Sequence, residues 1–260
     1  MFEALPNAIS SQVSPWHPVS EISGQHPAIL QVQQATGGLF GHSGLRPVIV
    51  GFDSAHYSAE LPARHGIDEP ASIRASVIKR RAEFFFGRLA AKLALRQWGL
   101  NDASVAIGPA REPCWPAGFR GSISHHNQLA AAVVVPTSFC SGVGIDVEPV
   151  LAIEHLPAVI ESVVDAAELR HIQTLVPASE LPLALTLAFS AKESFYKAAY
   201  PEIGRFFDFS AAAVTSIDPI SGTIRLALRE SLSAHFPAGK SVIAHYLKLP
   251  DGTVFTAVYY

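Results

Sequence analysis

The feature that most constrains this chain is an apolar run that carries two carboxylates: Val143-Gly144-Ile145-Asp146-Val147-Glu148-Pro149. Its short, β-branched-rich core reads as a buried strand. Side chains at i and i+2 of a strand share a face, so Asp146 and Glu148 stand side by side. Like charges that close repel and raise a pKa unless something neutralises them. A hard divalent cation does so, and carboxylates plus waters are what magnesium takes. The alternative, two strand carboxylates facing solvent, is weakened by the apolar flanks.

Helices and short strands surround this segment. Residues 1–45 are rich in Ser, Gln, Gly and Pro and read as an irregular leader with one short strand. Residues 47–52 form a short apolar run, expected to be a buried strand. Residues 73–98 contain no Pro and end at Gly99, which predicts one long helix closed by a glycine. Strands are expected over 104–107, 121–124, 129–135 and 143–148, then a helix over 163–175. A second long helix is expected over 182–199, ending before Pro201. Asp218-Pro219-Ile220-Ser221-Gly222 and Pro250-Asp251-Gly252 mark the turns of two hairpins. Each half thus offers one long helix and several strands, and the fold class is α+β.

Three further segments bear chemistry. In Phe189-Ser190-Ala191-Lys192-Glu193-Ser194-Phe195-Tyr196-Lys197, Glu193 and Lys197 stand at i and i+4 on one helix face. They read either as a surface ion pair or as a third metal carboxylate with a cation beside a phosphate. Lys79-Arg80-Arg81 lies on the helix expected over 73–98, with Arg88 and Lys92 further along it. Guanidinium groups meet phosphate bidentately, so this face can clamp one; it can equally be a solvated basic face. The stripe spacing turns Arg81 toward Arg88. Arg111-Glu112-Pro113-Cys114-Trp115-Pro116 is a stiff loop, and Gly121-Ser122-Ile123-Ser124-His125 delivers a histidine to its neighbourhood.

Composition narrows the classes. The chain has 260 residues, of which 49% are hydrophobic and 16% charged, which describes a compact globular protein. Its formal net charge of −3 gives no global basic field for nucleic acid, so any phosphate must be held by a few placed cations. Cys114 and Cys140 form no CxxC pair and read as reduced thiols. The start, Met1-Phe2-Glu3-Ala4, has no basic n-region, and the apolar run at 129–135 is too short to span a bilayer. A cytoplasmic location without membrane contact is expected. Gly41-His42-Ser43-Gly44-Leu45 fails the GxSxG pattern at its last position, which disfavours a serine hydrolase. No HExxH or Cys/His zinc spacing appears among the histidines.

Taken in order, these segments resemble the Sfp-type 4′-phosphopantetheinyl transferases, in the branch that contains the enterobactin synthase D component. The resemblance rests on Lys79-Arg80-Arg81-Ala82-Glu83-Phe84 with Arg88, on the loop from Arg111 to Pro116, on Gly121-Ser122-Ile123-Ser124-His125, on Gly144-Ile145-Asp146-Val147-Glu148, and on the segment from Phe189 to Ala198. It covers roughly residues 79–200. It implies a pseudo-dimer of two similar α/β subdomains, 1–140 and 141–260, with the active site in the cleft between them. It implies transfer of the 4′-phosphopantetheine arm from coenzyme A to a serine of an apo acyl or peptidyl carrier protein, with release of 3′,5′-ADP. Enterobactin or other siderophore assembly is one setting; other peptide, polyketide or fatty-acid synthases are others. Asp146, Glu148 and Glu193 then resemble the magnesium ligands. Lys197 resembles the cation on the pyrophosphate, and the serine proton goes to Glu193 or a metal-bound water. His125, Arg111, Arg88, Lys192 and either Arg80 or Arg81 resemble the contacts to coenzyme A; the family pattern leans to Arg80 where the stripe favours Arg81. Val147, between the two strand carboxylates, departs from ligand chemistry, so water or a backbone carbonyl would complete the shell. A monomer is expected. A magnesium phosphoesterase and a non-catalytic coenzyme A or carrier-binding module are the rival readings.

Overall fold

The computed structural model describes residues 14–260. Its elements are β1 (Trp16–Pro18), β2 (Ile29–Ala35), β3 (Val48–Phe52), α1 (Leu61–Arg64), α2 (Ala71–Arg74), α3 (Ile78–Arg96), β4 (Ala106–Ile107), β5 (Pro113–Cys114), β6 (Phe119–His126) and β7 (Leu129–Pro136). There follow β8 (Val143–Glu148), α4 (Leu156–Val163), α5 (Ala166–Leu175), α6 (Leu181–Ile203), β9 (Ala212–Asp218), β10 (Thr223–Leu228), β11 (Ser241–Lys248) and β12 (Val254–Tyr259).

Two antiparallel sheets carry the fold, in the orders β1-β2-β3-β7-β6 and β8-β12-β11-β10-β9. The α+β class is as expected. β7 shows how the layers form. Ala130, Ala132 and Val134 pack toward α3, while Leu129, Ala131, Val133 and Val135 pack against the second sheet. Both faces are covered, so the strand reads as an unbroken apolar run. β8 does the same for the second sheet, sending Val143, Ile145 and Val147 into the shared middle core. The long helix α6 covers that sheet's far side. The order of layers is helix, sheet, sheet, helix. On α3, Phe86 stacks on Phe52 at 4.3 Å and meets Phe85 edge-on at 4.8 Å. Burying each such ring contributes about 1.5–3 kcal/mol.

The edge strands β6 and β8 lie alongside each other without a backbone ladder. Serine side chains take its place. Ile145 N–H donates to Ser122 Oγ at 3.0 Å, and Val147 N–H donates to Ser124 Oγ at 3.4 Å. Both serines are buried.

Several elements differ from the sequence expectation. The helix expected over 73–98 is broken into α2 and α3, because Val77 adopts an extended backbone and Ser76 Oγ donates back to the Ser72 carbonyl at 2.9 Å. The helix expected over 163–175 is two helices that meet at Val164, with Asp165 capping α5. α6 runs past Pro201, whose missing N–H costs one bond near the helix end; Gly204, at φ 67°, then closes it by donating to the Tyr200 carbonyl. Of the expected leader, the described residues 14–45 contribute β1 and the seven-residue β2, not one short strand, and the expectations for residues 1–13 lie outside the described residues. Only residues 106–107 of the strand expected over 104–107 form one, paired with β5. Among the described residues no single helix is long and apolar enough to cross a membrane.

Gly144 sets the approach of α6 to β8. A Cβ there would overlap the Ser194 carbonyl and the Ala198 backbone nitrogen. Gly144→Ala is therefore expected to destabilise the fold by about 1–3 kcal/mol, as overpacking does; urea unfolding reads this, and an unchanged midpoint contradicts it.

Candidate active site at the seam of the two sheets

Close packing of α6 on β8 brings its functional face over the strand carboxylates. Lys197 Nζ donates to Asp146 Oδ1 at 2.7 Å and to Ser124 Oγ at 3.2 Å. Ser124 Oγ donates to the same Asp146 Oδ1 at 2.7 Å. One turn back on α6, Glu193 Oε2 lies 3.9 Å from Lys197 Nζ. Asp146 is buried, and its Oδ2 has no hydrogen-bond partner. Burial pushes the Glu148 carboxyl up to about 8; the Asp146 charge adds to this, Lys197 offsets it, and Glu193 adds a smaller share. Burial also raises the Glu193 carboxyl, against the pull of Lys197.

One ammonium thus pairs with two carboxylates, Asp146 and Glu193, while Glu148 feels it only through its field. Among the described residues no three His, Cys, Asp or Glu side chains yet converge closely enough to form a metal cluster. The donor set still fits a hard cation, because Asp146 Oδ2 is a buried carboxylate oxygen with nothing on it. Asp146, Glu148 and Glu193 are the residues that could hold one.

Across β6 lies a cleft of about 320 Å³. The α3 residues Arg80, Glu83, Phe84, Gly87 and Arg88 line one wall. This is one helical face at i, i+3, i+4, i+7 and i+8. Arg111 and His125 close the other side. Arg88 is the most constrained cation. Its Nη2 donates to the Ala106 carbonyl at 3.3 Å, its guanidinium sits 5.1 Å over the Phe84 ring, and its buried Nε has no partner. Burial lowers its pKa to about 10, so it stays charged at neutral pH. Arg80 Nη1 lies 3.3 Å from His125 Nε2. Burial lowers the His125 pKa; Glu83 pulls it back up, while Arg80 and Lys197 push it down. Arg111 holds φ 68°, a left-handed backbone costly for a residue with a Cβ.

Most of the expected residues therefore gather here: Asp146, Glu148, Glu193 and Lys197 on one side, Arg80, Arg88, Arg111 and His125 on the other. Two do not. Arg81 turns away, with Nη2 donating to Glu69 Oε2 at 2.8 Å and its guanidinium 5.5 Å from the Tyr57 ring centre. Arg80 is the one that reaches the cleft. Lys192 points to the other side of α6. Its Nζ donates to Glu168 Oε2 and to the Val163 carbonyl, both at 2.8 Å, and the two side chains are 2% and 1% exposed. A coenzyme A contact from Lys192 is not compatible with this buried pair.

Sequence reasoning missed Ser124, Glu83 and an apolar pocket. Glu83 pairs with Arg80 at 3.5 Å inside the cationic cleft. A pocket of about 190 Å³ beside Glu193 is walled by Tyr196, Phe206, Phe207 and Phe209. The dense aromatics at 206–209 were the available signal for it.

Comparison with known proteins bears on this arrangement. Residues 68–135 match the 4′-phosphopantetheinyl transferase N-terminal domain, and residues 142–246 match the 4′-phosphopantetheinyl transferase superfamily. The enterobactin synthase component D of Salmonella typhi is 38% identical over 66% of this chain and 73% of its own length. The chain belongs to the 4′-phosphopantetheinyl transferase superfamily. Within it, the chain falls in the enterobactin synthase component D branch. The component D of Salmonella typhimurium (strain LT2) is 40% identical over 56% of this chain and 58% of its own. The 4′-phosphopantetheinyl transferase PptT of Mycobacterium tuberculosis is 38% identical over 57% and 63%. The chain thus spans under two thirds of the length of the last two relatives.

The Glu148 carboxyl gives this transferase-family site a pH signature. A folded pKa of about 8 exceeds the ordinary carboxylate value of 4.5, so the folded state binds the extra proton between those values. The stability this confers is complete below the window and is lost as pH rises through it. In EDTA the melting temperature is expected to fall between about pH 5 and about pH 8, and Glu148→Gln to flatten that fall. A slope that survives unchanged in the variant contradicts the assignment.

Proposed function

We propose that this chain transfers the 4′-phosphopantetheine arm of coenzyme A to a serine hydroxyl of an apo acyl or peptidyl carrier protein, with magnesium, releasing 3′,5′-ADP. The observation that carries the reading is the junction at β6. A cleft with a buried, spare guanidinium donor on Arg88 opens beside three carboxylates, two of which share the Lys197 ammonium. Membership of the superfamily supports it.

On this reading Arg80, Arg88, Arg111 and His125 bind the coenzyme A phosphates and fix the donor in line, a positioning contribution. The apolar pocket beside Glu193 suits the pantetheine arm. The acceptor serine oxygen attacks the β-phosphorus of coenzyme A. The phosphorus–oxygen bond to 3′,5′-ADP breaks, and that nucleotide takes the bonding pair. The serine proton passes to the Glu193 carboxylate, whose raised pKa suits a base. Lys197 Nζ stabilises charge that grows on the phosphate oxygens. Magnesium held by Asp146, Glu148 and Glu193 would supply further charge neutralisation there. Arg81 and Lys192 hold structure rather than substrate. The same proposal takes 1–140 and 141–260 as the two subdomains, and the protein as a cytoplasmic monomer.

The test mixes the protein with coenzyme A, magnesium and an apo carrier, and reads the carrier's intact mass. One added phosphopantetheine arm is expected, abolished by EDTA, with Asp146→Ala and Glu193→Ala each slowing turnover by about 10²-fold or more. Release of phosphopantetheine into water without a carrier would instead mark a phosphoesterase. Coenzyme A titration provides the second check. Arg88→Ala is expected to weaken binding by about 1.5–3 kcal/mol, the worth of a charged hydrogen bond; unchanged affinity would return Arg88 to a structural role on Ala106.

A further inference from the structure

The two oxygens of Asp146 have unlike surroundings. Oδ1 accepts from Lys197 Nζ and from Ser124 Oγ, each at 2.7 Å. Oδ2 is buried and accepts nothing. Ser124 fixes this asymmetry. Its Oγ already accepts from Val147 N–H at 3.4 Å and from Lys197 Nζ at 3.2 Å. A hydroxyl has two acceptor sites and one proton, so with both sites filled the proton must go to Asp146. That bond comes from β6, across the seam.

We propose that Ser124 is a positioning residue that turns Asp146 so that Oδ2 alone is presented to the cation. This rests on the magnesium reading above and names the device that prepares the site. Without the hydroxyl, the Lys197 ammonium is free to lie across both carboxylate oxygens and draw Oδ2 into the ion pair. The cation then competes with Lys197 for its own ligand. Loss of an outer partner of this kind lowers metal affinity by about 10- to 100-fold.

Mn²⁺ is the probe, titrated into the full chain and read by the electron spin resonance signal of the free ion. Ser124→Ala is expected to weaken Mn²⁺ binding about tenfold or more. Ser124→Thr, which keeps the hydroxyl, is expected to retain most of the affinity. Ser124→Cys fills the same space with a weak donor and is expected to behave like the alanine variant, which covers the case in which the alanine variant does not fold. Ser122→Ala is the control. It removes the neighbouring hydroxyl of the same seam, on Ile145 N–H rather than on Asp146, and is expected to leave Mn²⁺ affinity near wild type. Coenzyme A affinity in EDTA is expected to be alike in all. Wild-type affinity in folded Ser124→Ala or Ser124→Cys overturns the proposal. So does an equal loss in Ser122→Ala, because seam integrity would then be the cause. A wild-type protein that binds no Mn²⁺ removes the magnesium reading itself, and the proposal with it.

Discussion

Two sheet edges meet between β6 and β8, and the hydroxyls of Ser122 and Ser124 satisfy the backbone there. A buried N–H without a partner costs about 1–3 kcal/mol, so this edge has to be closed by something. A ladder would fuse the sheets into one surface and fix their relative twist. Serine side chains close the edge while leaving two sheets free to pack face to face on the shared core of Ile145, Val147, Val133 and Phe255. They also leave polar atoms inside the seam, and the site grows from them. Ser124 bonds Val147, Asp146 and Lys197 at once. The seam that joins the halves is thus also the floor of the candidate active site.

The second determinant is the face that each α6 residue presents. Neighbouring residues on a helix point about 100° apart. Glu193 and Lys197 share one face and meet β8, which Gly144 lets come close. Lys192, one position earlier, is carried round to Glu168, where an ion pair can be buried because Val214 N–H and the Val163 carbonyl complete its hydrogen bonds. The adjacent Lys192 and Glu193 therefore face different parts of the protein, one the core and one the candidate site.

This is also where the sequence stops being legible. The strand at 143–148 and its paired carboxylates could be read directly, because a period of two leaves no doubt about facing. The helical cations could not be assigned so surely. A seven-residue step from Arg88 favours Arg81, yet the cleft follows the steps of four and eight through Phe84 to Arg80. What decides is Glu69, far enough away in sequence that no helical pattern includes it, which takes Arg81 out of the cleft. Ser122 and Ser124 read as ordinary strand serines, since nothing local says that their strand is an edge facing another edge. β2 was hidden by its glutamines, exposed or half-buried between Ile29, Val32 and Ala35.

The charge distribution follows from the same architecture. A formal net charge of −3 conceals a separation: cations gather on α3 and the Arg111 loop, and carboxylates on β8 and α6. β6 runs between them, presenting His125 to the cations and Ser124 to the carboxylates from successive positions of one strand. A strand is suited to this, because alternate side chains reach opposite faces at a fixed spacing. On the proposed reading, a donor whose phosphates bind on one face would bring its reacting bond toward the carboxylates on the other. His125 marks the boundary. Burial favours its neutral form, Glu83 favours the charged one, and an arriving phosphate adds to the side of Glu83. On the proposed reading Arg88, charged at neutral pH, would supply the standing attraction for that phosphate.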